Sequence, residues 1–93
     1  MEGFENLINK PEKILVKFGA DWCGPCKILD RTLDSMIKDG AKNIVKIDVE
    51  KQMDLARKYN IRNVPTMIVF AGGLLIERVS GIRTENQIKQ LLL

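Results

Sequence analysis

The sequence predicts an α/β fold, with a mixed four-stranded sheet and helices on both faces. Three observations predict it. Four short β-rich runs alternate with stretches of helical spacing, in the order αβαβαββα. The first two runs are separated by a helix-length segment, which demands a parallel pair with a right-handed crossover. The last two are separated only by Ala71-Gly72-Gly73, a turn signal between apolar runs that reads as an antiparallel hairpin. With 93 residues, the expectation is a single domain over residues 1–93.

Each element has its own signal. Phe4, Leu7 and Ile8 have helical spacing, so residues 3–9 form a short helix ending near Pro11. Ile14-Leu15-Val16-Lys17-Phe18 is a β-rich run and reads as a buried strand. After Gly24-Pro25 the pattern turns helical. Leu29, Leu33, Met36 and Ile37 fall on one face, and Gly40 is the stop. Residues 44–49 make a second strand, and Leu55, Ala56 and Tyr59 mark a short helix. Residues 66–70 and 74–79 are the hairpin strands. Thr84 and Gln87 fit a capping box, ahead of a last helix whose apolar face is Ile88, Leu91 and Leu92.

Composition narrows the chemistry. The chain is 45% hydrophobic and 29% charged, as ordinary globular proteins are. Its charge of +3 comes from 15 basic and 12 acidic residues mixed along the chain. Without a basic cluster or an aromatic ladder, no nucleic-acid partner is expected. No segment is apolar enough to span a bilayer, so no membrane partner is expected either. The N-terminus lacks the pattern of a secretory leader, so a cytoplasmic protein is expected. The absence of histidine removes Ser-His and Cys-His nucleophile pairs and most zinc sites.

Both cysteines lie in Trp22-Cys23-Gly24-Pro25-Cys26-Lys27, where a strand hands over to a helix. Unpaired N–H groups at a helix N-terminus favour an anion, so a thiol there ionises more easily, and the thiolate is the attacking species. Cys23, at the start, is expected to be an exposed nucleophile. Cys26 lies one turn further on, near enough to close a ring with it. Pro25 suits the first helical turn, and Gly24 lets another chain approach. A substrate disulfide attacked by Cys23 gives a mixed disulfide, which Cys26 then resolves. Two plainer readings stand beside this one. A CxxC pair supplies half of a zinc site, but no further Cys or His exists to complete it, so no metal is expected. Two inert buried thiols would not need the Gly-Pro or the strand–helix junction.

From about Ile14 to Leu92 the chain resembles the thioredoxin family. The resemblance rests on ILVKFGADWCGPCK, NIRNVPT and VSGIRTENQIKQLL. It identifies a short, diverged member of thioredoxin fold with a WCGPC active site. It implies a cis peptide between Val64 and Pro65, facing the disulfide. It also implies a substrate groove lined by Trp22, Val64, Pro65, Gly81 and Ile82, where an extended peptide pairs with the Val64 backbone. No cofactor is implied beyond the redox-active Cys23–Cys26 pair. Expected partners are disulfide-containing proteins and an NADPH-dependent thioredoxin reductase, with the protein itself a monomer.

The departures are informative. The family usually has a buried acid at position 17, where it helps to move the proton of the resolving cysteine. Here the residue is lysine, and Lys46 matches the lysine that normally pairs with that acid. Two lysines are therefore expected near each other without that partner. In one reading Lys17 snorkels outward and keeps its charge in water. In the other it reaches toward the thiols, lowering their pKa or accepting the Cys26 proton. Gly19 replaces a common aromatic, which is expected to open the groove. Arg31 replaces a helix-kinking proline, so the helix over 26–39 is expected to run straight. The family's usual first strand has no counterpart here, which leaves one sheet edge less covered.

The sequence thus points to a thiol–disulfide oxidoreductase that reduces protein disulfides. The alternative is a thioredoxin-fold binding subunit of a larger complex, with no essential redox role. An oxidase or isomerase is a third class, separated by reduction potential rather than by fold.

Overall fold

The computed structural model describes residues 2–93. The elements are α1 (Glu2–Ile8), β1 (Ile14–Gly19), α2 (Gly24–Lys38) and β2 (Ile44–Asp48), followed by α3 (Met53–Lys58), β3 (Thr66–Ala71), β4 (Leu74–Ser80) and α4 (Glu85–Leu91). All eight stand where hydrophobic spacing places them, in the expected order. The strands form one sheet in the order β2-β1-β3-β4. β1 and β2 are parallel, with Lys17 opposite Lys46. The β1–β3 and β3–β4 pairs are antiparallel. Gly72 and Gly73 both have positive φ, at 59° and 81°, which the two-residue hairpin requires.

The period-2 alternation of β1 divides the core. Ile14, Val16 and Phe18 face Phe4 and Ile8 of α1 and Leu55 of α3. Leu15 faces the other way, onto Leu29, Leu33 and Met36 of α2 and Ile88 of α4. Lys17 and Gly19 share the Leu15 side, so they lie beneath α2. All six residues of β1 are buried.

Helix ends follow local chemistry. α2 begins at Gly24 with Cys23 as its N-cap, so Cys23 stands at the helix start and Pro25 in the first turn, as the sequence predicts. It runs unbroken for 15 residues, with Arg31 inside it, and ends before Gly40, whose φ is 108°. The expected capping box is present at α4. Gln87 N–H donates to Thr84 Oγ1 at 3.2 Å, and Thr84 N–H donates to Gln87 Oε1 at 2.9 Å.

Two stability effects follow. Leu33→Ala, at a fully buried site, is expected to cost about 2–5 kcal/mol in urea unfolding. Thr84→Ala, which removes half of the capping box, is expected to cost about 1 kcal/mol.

Candidate active site

β1 ends at Gly19, and the chain turns through Ala20–Trp22 into α2. Cys23 N–H donates to Ala20 O at 3.2 Å, which fixes this turn. Cys23 then occupies the N-cap of α2 in extended conformation, with φ −89° and ψ 110°. Its sulfur accepts the Cys26 backbone N–H at 3.1 Å. An N-cap side chain does this for an orphan N–H of the first turn, and here the acceptor is the Cys23 sulfur. Pro25 sits in the first turn, where a missing N–H costs nothing. Gly24 faces open space. Cys23 and Cys26 are joined as a disulfide, with Cα atoms 5.2 Å apart.

Cys23 is not the exposed residue the sequence suggests. It is only 4% accessible and packs with Ala20, Cys26, Val49 and Val64. The sulfur is tied inward to Cys26 and covered by the loop before β3. Trp22, by contrast, is 68% exposed. The Val64–Pro65 bond is cis, and Cys23 Sγ lies 3.8 Å from Val64 O. Trp22 and Val64 line a cavity of about 380 Å³ together with Val49, Ile61, Arg62 and Asn63. Gly81, with φ 85°, donates its N–H to Pro65 O at 2.8 Å, which ties that loop to Pro65, and the next residue, Ile82, is exposed. Of the expected groove residues, Trp22 and Val64 share this cavity with Val49, Ile61, Arg62 and Asn63, which the sequence did not single out. Val49 reads in the sequence only as the end of a strand, and Ile61 only as part of the NIRNVPT run.

Beneath the disulfide, one of the two readings of Lys17 fails. Lys17 does not snorkel. It is 5% accessible, because β1 has partners on both edges and helices on both faces. The two lysines do lie side by side without an acid at position 17, and they find anions on α2 instead. Lys17 Nζ lies 2.8 Å from Asp30 Oδ1, and Lys46 Nζ lies 3.9 Å from the same oxygen and pairs with Asp34. Asp30 Oδ1 is buried and accepts no well-angled hydrogen bond, so its contact with Lys17 is an ion pair. The signal for these acids was available. Cys26, Asp30 and Asp34 are spaced i, i+4, i+8 along one face of α2.

Gly19 also behaves differently from expectation. A Cβ there would meet Lys17 Nζ at 2.8 Å and Cys26 Sγ at 3.2 Å. The space is filled by Lys17, and Gly19 does not line the groove beside Trp22. It lines a second cavity of about 490 Å³, on the side of Lys17, Asp30 and Lys46. Among the described residues there is no group of three or more His, Cys, Asp or Glu that could hold a metal, and no helix long and apolar enough to cross a membrane.

A disulfide whose first sulfur caps a helix, set against a cis-proline loop at the end of a mixed sheet, defines a dithiol–disulfide oxidoreductase of thioredoxin fold. The chain belongs to the thioredoxin family, whose model, described as Thioredoxin, matches residues 1–93. It is 35% identical over 89 residues to a thioredoxin of Mycoplasmoides gallisepticum, covering 95% of this chain and 89% of that one. It is 33% identical over 90 residues to the mitochondrial thioredoxin of Mus musculus, covering 95% of this chain but 54% of that longer protein. A solved mutant thioredoxin from Halobacterium salinarum superposes with a TM-score of 0.88 at 33% identity, covering 99% of this chain and 81% of that one. The protein is accordingly a thiol–disulfide oxidoreductase with disulfide-containing substrates and a reductase partner.

The charge ladder gives a stability contrast. Asp34 is 63% exposed, and Asp34→Asn is expected to change urea stability by at most about 1 kcal/mol. Asp30→Asn leaves the buried Lys17 ammonium without its anion and is expected to cost about 1–3 kcal/mol.

Proposed function

We propose that the protein reduces protein disulfides, with Cys23 as the attacking sulfur and Cys26 as the resolving one. The observation that carries this reading is the Cys26 N–H held 3.1 Å from the Cys23 sulfur at the helix N-cap. The N–H group and the partial positive charge of the helix end favour a thiolate at Cys23 once the disulfide is reduced. That thiolate attacks a substrate sulfur in line with the scissile S–S bond. The substrate's other sulfur leaves as a thiolate and takes a proton from water. Cys26 then attacks Cys23 and expels the second substrate sulfur, leaving the protein oxidised and the substrate reduced by two electrons.

Because Cys23 is buried in the oxidised protein, the substrate segment must come to it. The groove of Trp22, Val64, Pro65, Gly81 and Ile82 receives that segment in extended form beside the Val64 carbonyl. Gly24 and Pro25 leave the approach to Cys23 open, and Lys17 and Lys46 shape the site from below. The redox couple is the cysteine pair itself. An NADPH-dependent thioredoxin reductase returns it to the dithiol. The 93 residues act as one domain and as a monomer, in the reducing cytoplasm, where a dithiol of this kind persists. A pure binding subunit has no use for a capped, paired thiol at this junction.

Insulin reduction with a chemical dithiol as electron source tests this. Cys23→Ser is expected to fall to the dithiol background. Cys26→Ser, reduced, freed of the dithiol and then mixed with insulin, is expected to accumulate a covalent adduct through Cys23, visible as added mass that a reductant removes. Undiminished turnover in Cys23→Ser, or an adduct on Cys26 instead, would sink the assignment.

A further inference from the structure

The reading above explains how Cys23 ionises but not how Cys26 does. Cys26 is 1% accessible, and burial of a thiol disfavours its charged form. It sits at the third helical position, and its own N–H is used by Cys23. In the resolving step, however, Cys26 must be the attacking thiolate.

Lys17 is the buried ionisable group that this mechanism has not yet used. Its ammonium and the Cys26 sulfur crowd the same point, 2.8 Å and 3.2 Å from where a Gly19 Cβ would lie. The two are therefore within about 6 Å of each other, the range in which a cation shifts a thiol by one to three pKa units. Asp30, one helical turn beyond Cys26, holds the ammonium in place at 2.8 Å. The absence of a side chain at Gly19 leaves the amine room beside the sulfur. Other charges also face this cavity: Lys27 from α2, Lys46 and Asp48 from β2, and Asp21 and Lys51 at its rim. Asp34 pairs with Lys46 beside this cavity, so lysines and aspartates balance four to four, and the charge set against the Cys26 sulfur is the Lys17 ammonium.

We propose that Lys17, clamped by Asp30 and admitted by Gly19, is a positioning residue that holds the Cys26 sulfur as the thiolate needed for resolution. It touches neither substrate nor the breaking bond and acts through Cys26. The Cys26 proton leaves to water through the cavity bordered by Lys17, Asp30 and Lys46. The thiolate attacks Cys23, the Cys23–Cys26 bond forms, and the Cys23–substrate bond breaks. The substrate sulfur departs with the electron pair and is protonated by water. No further oxidant or reductant enters this step.

The inference rests on Cys26 being the resolving thiol, and one experiment separates the two claims. Reduced protein mixed with 5,5′-dithiobis(2-nitrobenzoate) in stopped flow should release thionitrobenzoate twice, first from attack by Cys23 and then from attack by Cys26. Failure of a second release in the unsubstituted protein overturns the resolving role itself. With two releases seen, Lys17→Met and Lys17→Gln are expected to slow the second about tenfold at neutral pH, a shift of about one pKa unit. Lys17→Arg is expected to restore it to within about twofold, because it keeps the charge. An unchanged second release in folded neutral variants, or no recovery with arginine, overturns the role of Lys17. A second measurement leaves Lys17 in place. In Cys23→Ser the single remaining thiol should be alkylated by iodoacetamide with a midpoint below the free-thiol value of about 8.5. A midpoint at or above it overturns the proposal, because burial alone raises a thiol.

Discussion

β1 is the constraint from which the site follows. It has β2 on one edge and β3 on the other, and helices cover both its faces. All six of its residues are buried, so the polar atoms it carries are satisfied mostly inside the protein. Where the strand stops, at Gly19, the chain has three residues in which to turn before Cys23 caps α2. α2 is pinned to the sheet by Leu29, Leu33 and Met36, all buried at helical spacing. With both ends of that turn fixed by packing, Cys23 has one place to be, and that place is the N-cap. The sulfur geometry is thus a result of core packing several residues away from it.

The same constraint separates the surroundings of the disulfide into two environments. Above it, Val49, Ile61 and Val64 join Trp22 in an opening suited to an extended, partly apolar peptide. Below it, alternation on β1 and β2 sends Lys17 and Lys46 to the α2 side, where Asp30 and Asp34 descend to meet them. The two openings share no lining residue. Substrate recognition and the charge environment of the buried sulfur can therefore vary separately. Under the proposed roles, a substitution in the groove would alter which chains dock, whereas one in the ladder would alter how Cys26 ionises.

Sequence reasoning reached the fold because its signals are local and strong. The spacing of Leu29, Leu33 and Met36, the Gly72-Gly73 turn and the Thr84–Gln87 box each specify an element without reference to the rest. The cysteine pair was legible for the same reason: two sulfurs three residues apart at a strand–helix junction. What was not legible depends on what lies opposite what. The burial of Cys23 comes from the loop that carries Val64, 41 residues away. The fate of Lys17 depends on a carboxylate from another element, and a strand read alone offers water as readily as an ion pair. Asp30 was hidden because charged residues on a helix are usually a solvated face. Only the register of α2 over β1 brings Cys26 and Asp30 of that stripe in beside Lys17, while Asp34 stays exposed next to Lys46.

Lys17, Gly19 and Asp30 form an interdependent set. A Cβ at position 19 presses on the lysine amine and on the Cys26 sulfur at once. Loss of Asp30 strands a buried cation, and loss of Lys17 strands the buried Asp30 Oδ1. Changes at such neighbours do not add. Packing does not call for this arrangement. A methionine at position 17 would fill similar space without desolvating a charge, and a buried ion pair is often no more stabilising than the apolar residues that could replace it. The stability of the sheet therefore gives no reason for an ammonium at the centre of its most enclosed strand. The role proposed for it, beside a sulfur that has to become an anion in surroundings that oppose it, does.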